Sequence, residues 1–174
     1  MPFFRLCHPL FLTVLSCALL SQCASQKGKE WEHEENPGKT ALIIRGKAVP
    51  PADAPESVLR AVSAANRICR KPYRRGGGHA KFEDSAYDCS GSVSYILHAA
   101  GMLDEPTTSS ALRKFGEKGK GDWITVYAKN GHAFCEICGL RFDTGYSDHD
   151  SRGPRWSERS RPIKGFSIRH PEGL

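Results

Sequence analysis

No run of apolar residues in this 174-residue sequence is long enough to span a bilayer; the most extended, LFLTVLSCALL at residues 10–20, has the length of a signal h-region. The basic residues are not interleaved with aromatics, so the pattern expected of a nucleic-acid surface is missing. No internal repeat is visible, which excludes a solenoid. There is also no second C-x-x-C to accompany Cys135 and Cys138, and zinc knuckles normally carry two ligand pairs. On a regular strand those two thiols would point to opposite faces, although His132 stands close enough in sequence to be considered a third ligand. What is present is a chain 39% hydrophobic and 25% charged, enough for one globular domain with appendages.

Residues 1–22 read as an export signal, with Arg5 as the lone cation before the apolar stretch. The following LSQC, residues 20–23, resembles the lipobox of bacterial lipoproteins, which makes Cys23 the expected lipidation site and membrane anchor. Gln22 departs from the small residue usual there. VLSC ending at Cys17, and simple secretion with cleavage near Ser25, stay open as alternatives. The formal charge of +6 falls to +5 once Arg5 is removed, so the exported protein stays basic. Export makes nucleic acid the least suitable of the anionic partners and favours an acidic envelope polymer, a free carboxylate or a solvated surface.

Residues 23–52 are polar and charged, with Pro37-Gly38, and read as a tether; within them ALIIRG has the character of an edge strand. The domain is expected over 53–174. Asp53 is placed as the N-cap of a first helix with Glu56 three residues on, and Val58, Val62, Ala65 and Cys69 recur at helical spacing. Cys69 is best read as a small buried hydrophobe. A glycine-rich loop, KPYRRGGGHAKFEDSAYD, precedes a second helix over Cys89–Ala100 that stops at Gly101, and a short third helix is expected over Ser109–Phe115. The period then changes to two in WITVYA, HAFCEIC, LRFDT and FSIRH, separated by short turns. Helices followed by an antiparallel sheet of about 4–6 strands indicate an α+β fold.

Cys89 stands at the first turn of the second helix, where unpaired N–H groups and the positive end of the dipole favour a thiolate. Inside the apolar run the sulfur would be buried and inert. NGHAF delivers His132 to the start of a strand, and the turn at Gly139 returns the chain so that Asp143 comes alongside it, directly or diagonally opposed. An Asp bonded to one imidazole nitrogen orients the ring and leaves the other for the thiol. His79, after three glycines, is placed in a solvated loop, and His98 within the second helix is read as structural. The arginine-rich SRGPRWSERSRP is read as a cleft wall or a solvated loop, with Trp156 suited to packing on the sheet.

The run from Tyr73 through Gly76-Gly77 to Tyr87-Asp88-Cys89-Ser90-Gly91, then Gly131-His132 and Asp143, resembles the NlpC family of bacterial cell-wall cysteine endopeptidases, a papain-like group. The resemblance covers roughly residues 53–174. It implies a catalytic helix N-terminus packed on the sheet, with Cys89, His132 and Asp143 catalytic. It also implies hydrolysis of a peptidoglycan stem peptide, commonly between D-glutamate and a diamino acid, with no metal or organic cofactor. Tyr73, Asp88 and Ser90 would line the substrate cleft, the acidic residue being suited to a free amine. The third polar position is often His in the family, and the loop here is longer and carries His79. The location implied is the cell envelope, with a lipid anchor as the membrane contact and a monomeric domain. A non-catalytic envelope lipoprotein that binds peptidoglycan or a protein, and a papain-like amidase or acyltransferase, are the alternatives.

Overall fold

The computed structural model describes Met1, residues 40–145 and residues 153–174. Residues 2–22 of the export segment, Cys17, the expected lipidation site Cys23 and the first part of the tether, 23–39, lie outside the described residues. Among those described, no helix is long and apolar enough to cross a membrane.

Chain order gives strands β1 (Leu42–Ile44) and β2 (Lys47–Val49), helices α1 (Glu56–Ile68), α2 (Cys89–Ala99) and α3 (Ser109–Leu112), and then strands β3 (Glu117–Lys118), β4 (Ile124–Lys129), β5 (His132–Ile137), β6 (Leu140–Asp143), β7 (Arg155–Ser157) and β8 (Ser167–His170). The last six form one sheet in the order β3-β8-β4-β5-β6-β7, every pair antiparallel. α1 packs on α2 and α2 on β5, so the apolar face of α1 (Val58, Val62, Ala65, Ile68) and that of α2 (Val93, Ile96, Leu97) share a core with Val126, Ala133, Cys135 and Ile137 of the sheet. The α+β expectation and the strand count both hold.

Three boundaries differ from the sequence reading. The domain begins before Asp53: β1 and β2 form a hairpin through the two-residue turn Arg45-Gly46, with Ala41 and Ala48 buried. Ala41 N–H donates to Cys138 O (2.9 Å). The Asn66 side chain pairs with both backbone groups of Ala48 at 2.8 Å and also accepts from Trp156 Nε1 (2.8 Å). One α1 amide therefore ties the hairpin, the helix and β7 together, and residues 40–52 are part of the domain. The cap of α1 is Pro55 and not Asp53; no side chain caps it, because proline carries no side-chain acceptor. The third helix ends at Leu112, a single turn capped by the Thr108 hydroxyl accepting from Ala111 N–H (3.3 Å).

Candidate active site

At the start of α2 the first N–H groups have no helical carbonyl to donate to, and a side chain supplies the acceptor. Asp88, extended at φ −92° and ψ −174°, is the N-cap and accepts from Gly91 N–H at 2.7 Å, a contact worth about 1 kcal/mol. Cys89 follows as the first helical residue. Gly91 is required by packing: a Cβ there would lie 2.0 Å from Gly77 O. The glycine loop thus closes onto the helix, and Asp88 N–H donates to Gly77 O (3.1 Å). Tyr87 anchors the same loop, its hydroxyl donating to Phe82 O (2.7 Å) and accepting from Asp84 N–H (3.0 Å). An isolated bridge between Tyr73 and Tyr87 brings Tyr73, 43% exposed, to the same end of α2.

The β5 strand enters from the two-residue turn Asn130-Gly131, which sets Lys129 opposite His132. β6 pairs with Cys135 opposite Phe142; continuing that register puts Asp143 across from Phe134, two positions from His132. The two catalytic candidates are therefore diagonal neighbours, one of the two arrangements left open by the sequence. His132 Nε2 lies 2.9 Å from Asp143 Oδ1, and Asp143 is fully buried. Cys89, on the helix packed against β5, lies close enough to His132 for the imidazole, together with the Ala133 N–H, to act on its thiol.

The electrostatics follow from this arrangement. Burial pushes the Cys89 thiol up, but the His132 hydrogen bond, the Ala133 N–H and the charge of His132 together outweigh it, while Asp88 opposes them; the net direction is down. Burial likewise works against charge on His132, yet its bonds to Asp143 and Cys89 and the charges of both raise it to about 9. Burial also opposes the Asp143 carboxylate. Hydrogen bonds from His132, Gly145 N–H (2.8 Å) and Arg161, with the charge of His132, bring it below the usual range. All three shifts run toward the charged forms: thiolate, imidazolium and carboxylate. The Tyr73 phenol is raised, first by burial and then by the charges of Cys89 and Asp88, so it remains a neutral donor beside the sulfur.

Asp88 and Ser90 are less available than the sequence suggested. Asp88 Oδ1 takes Gly91 N–H, His79 Nε2 (3.0 Å) and the Ser90 hydroxyl (3.3 Å), and Oδ2 takes Gly76 N–H (2.9 Å). His79 also lies 3.2 Å from Ser90 Oγ. His79 is thus folded onto the cap of α2 and is not a solvated loop residue; the three glycines before it give the chain the turn that the sequence reading left unused. His98 is structural as expected, stacked on Phe82 and bonded to Leu103 O (2.9 Å). Trp156 packs edge-on against Phe142.

The residue the sequence reading missed is Arg161. Its Nη1 lies 2.5 Å from Asp143 Oδ2 and 2.9 Å from His132 Nε2, and its guanidinium sits over the rings of Phe134 (5.2 Å) and Phe166 (5.6 Å). It comes from the arginine-rich stretch, but one arginine among several carries no signal for which of them turns inward. Among the described residues, Cys69, Cys89, Cys135 and Cys138 are free thiols, and no group of three His, Cys, Asp or Glu side chains is arranged to hold a metal.

The fold is that of the papain-like NlpC/P60 proteins. An NlpC/P60 family protein from Bacillus cereus aligns over 65% of this chain and 39% of its own, with 14% identity and a TM-score of 0.50. NlpC1 from Trichomonas vaginalis aligns over 74% of this chain and 53% of its own, with 12% identity and a TM-score of 0.51. This chain therefore spans less than two thirds of the length of either protein. No family model matches the sequence, and no curated protein matches it.

Proposed function

We propose that this protein is an NlpC-type cysteine peptidase that hydrolyses an amide bond of the peptidoglycan stem, between D-glutamate and a diamino acid. The observation that carries this reading is the Cys89–His132–Asp143 row at a helix N-terminus, an arrangement that makes a nucleophile and an acid at neutral pH. The Cys89 thiolate attacks the scissile carbonyl carbon, and the tetrahedral oxyanion accepts from the Cys89 backbone N–H at the start of α2, a donor worth about 3 kcal/mol. His132 passes its sulfur-side proton to the leaving nitrogen as the C–N bond breaks. The resulting neutral ring then takes a proton from water, the hydroxide attacks the thioester, and the thiolate leaves. Asp143 holds Nε2 protonated throughout. The chemistry of these steps is complete without a metal or an organic cofactor.

Tyr73 and the cap formed by Asp88, Ser90 and His79 form the wall beside the nucleophile. A substrate ammonium that reaches Asp88 does so by displacing His79, so the amine subsite is narrower than an open carboxylate would make it. The catalytic domain runs from about residue 40 to 174. Residues 1–22 direct it to the cell envelope, Cys23 carries the lipid that holds it at the membrane, and the domain acts as a monomer.

The test is mass spectrometry of products from defined muropeptides. Cleavage at the D-glutamyl bond by the wild-type protein and none by Cys89→Ala supports the reading. Equal binding with no turnover by either protein supports a binding lipoprotein, and an acyl-transfer product in place of the hydrolysed one supports a transferase.

A further inference from the structure

Nε2 of His132 has one in-plane position for a proton or a lone pair, and two neighbours compete for it at the same distance. Asp143 Oδ1 at 2.9 Å requires a proton on Nε2; Arg161 Nη1, also at 2.9 Å, can donate only if that nitrogen is bare. A proton on Nε2 satisfies both neighbours, because Asp143 Oδ1 can only accept while Arg161 Nη1 has Asp143 Oδ2 as another acceptor; the guanidinium is then pressed against the protonated ring with the carboxylate shared between them. A half-buried cation in that position is costly unless it is held. Arg161 is held by Asp143 Oδ2, by Gly145 O (3.4 Å) and by the faces of Phe134 and Phe166, which themselves meet edge to face at 5.3 Å.

We propose, on the catalytic reading above, that Arg161 is a positioning residue: by clamping the second oxygen of Asp143 it fixes the first on His132 Nε2, and its charge beside that nitrogen makes the ring readier to release its other proton. An Asp–His pair alone would hold the imidazolium so well that it became a poor acid toward the leaving nitrogen. Arg161 moderates that hold without breaking the hydrogen bond. Among the described residues, the charged groups around the pair include Cys89 from α2, with Asp88 acting on the sulfur, Arg141, 3.9 Å from Asp143 on its own strand, and Arg155, paired with Asp143 across from β7. Lys129 lies beyond Phe166, 4.6 Å from that ring's centre.

The experiment is NMR titration of the His132 ring nitrogens in the full chain, assigned by the signal lost in His132→Gln, for the wild type, Arg161→Gln, Arg161→Met and Arg161→Lys. Removing the cation should raise the His132 pKa by about one unit in the Gln and Met variants. Lys, which keeps the charge, should stay close to the wild type. The alkaline limb of kcat should move by the same amount, with kcat falling about tenfold and KM little changed. If Met does not fold, the near-isosteric Gln variant carries the comparison. An unchanged or lowered His132 pKa in the neutral variants overturns the proposal, as does an equal shift in Lys. The titration needs no substrate, so it stands even if muropeptides prove not to be cleaved, a result that would count against the peptidase reading alone.

Discussion

Cys89 and Cys135 are both buried thiols, on two elements that pack together, and their surroundings drive them in opposite directions. Cys135 points from mid-strand into the apolar layer, where burial, and then the charges of Asp143 and Glu136, push its thiol far up. Cys138, at the β5–β6 turn, is pushed up to about 12, again chiefly by burial. Burial works against the Cys89 thiolate too, yet Cys89 ends below its ordinary value because His132 and the Ala133 N–H act on the sulfur. Burial alone therefore does not decide whether a cysteine is inert. The decisive factor is whether an oriented donor and a cation meet the anion where water has been removed.

The sharpest break in that contrast is removal of each sulfur in turn. Cys89→Ala should lower muropeptide turnover by ~10,000-fold with little change in melting temperature. Cys135→Ala should leave turnover within about threefold while costing about 1–2 kcal/mol of stability, as a small core truncation does. Turnover assays paired with urea unfolding separate the two, and comparable losses of activity would erase the distinction.

Asp143→Asn should cost about 100-fold in kcat, because the ring loses the partner that fixes its tautomer. It also has a pH signature in stability. Asp143 is depressed in the folded state, so its contribution is present above the unfolded carboxylate value near ~4 and is lost as pH falls through the folded value. His132 is raised, so its contribution is complete below the unfolded value near ~6.5 and is lost as pH rises through about 9. Urea unfolding across pH should show the wild type exceeding Asp143→Asn by most between those unfolded values, with the gap closing on either side. A gap independent of pH would mean that the loss was only one of packing.

A smaller effect than that of Asp143→Asn is expected from Gly145→Ala. A Cβ there would lie 2.8 Å from Arg161 Nη1 and 3.0 Å from Nε2 and Cε1 of His132, pressing on both without touching the sulfur. Turnover should fall about fivefold to tenfold, with the rate of Cys89 alkylation nearly unchanged.

The helical half of this site was the more legible in sequence. Asp88-Cys89-Ser90-Gly91 before an apolar run marks a capped helix start, and the cap and the nucleophile are local to four residues. The histidine was readable from the turn that begins its strand. Asp143 was placed beside it by counting back from a turn, but whether it sat opposite or diagonal depended on a register that only the paired strands determine. Arg161 and His79 were out of reach, since each acquires its role from neighbours away from it in sequence: Arg161 from Phe134, Phe166 and the Asp143 carboxylate, His79 from a loop that closes only because Gly77 and Gly91 lack side chains. The first strand of the β1–β2 hairpin was legible, since ALIIRG reads as an edge strand, but its partner and its place in the domain come only from contacts with Asn66 and Cys138.

The central claim, that His132 and the start of α2 hold Cys89 as a thiolate, is tested most directly by its iodoacetamide alkylation rate against pH, followed by peptide mapping in the wild type and in His132→Gln. The account predicts a wild-type apparent pKa well below the ordinary thiol value of about 8.5, moving up toward it in the variant, with Cys135 and Cys138 unmodified in both until the protein unfolds. A wild-type Cys89 that titrates at the ordinary value, unmoved by loss of the imidazole, would contradict it.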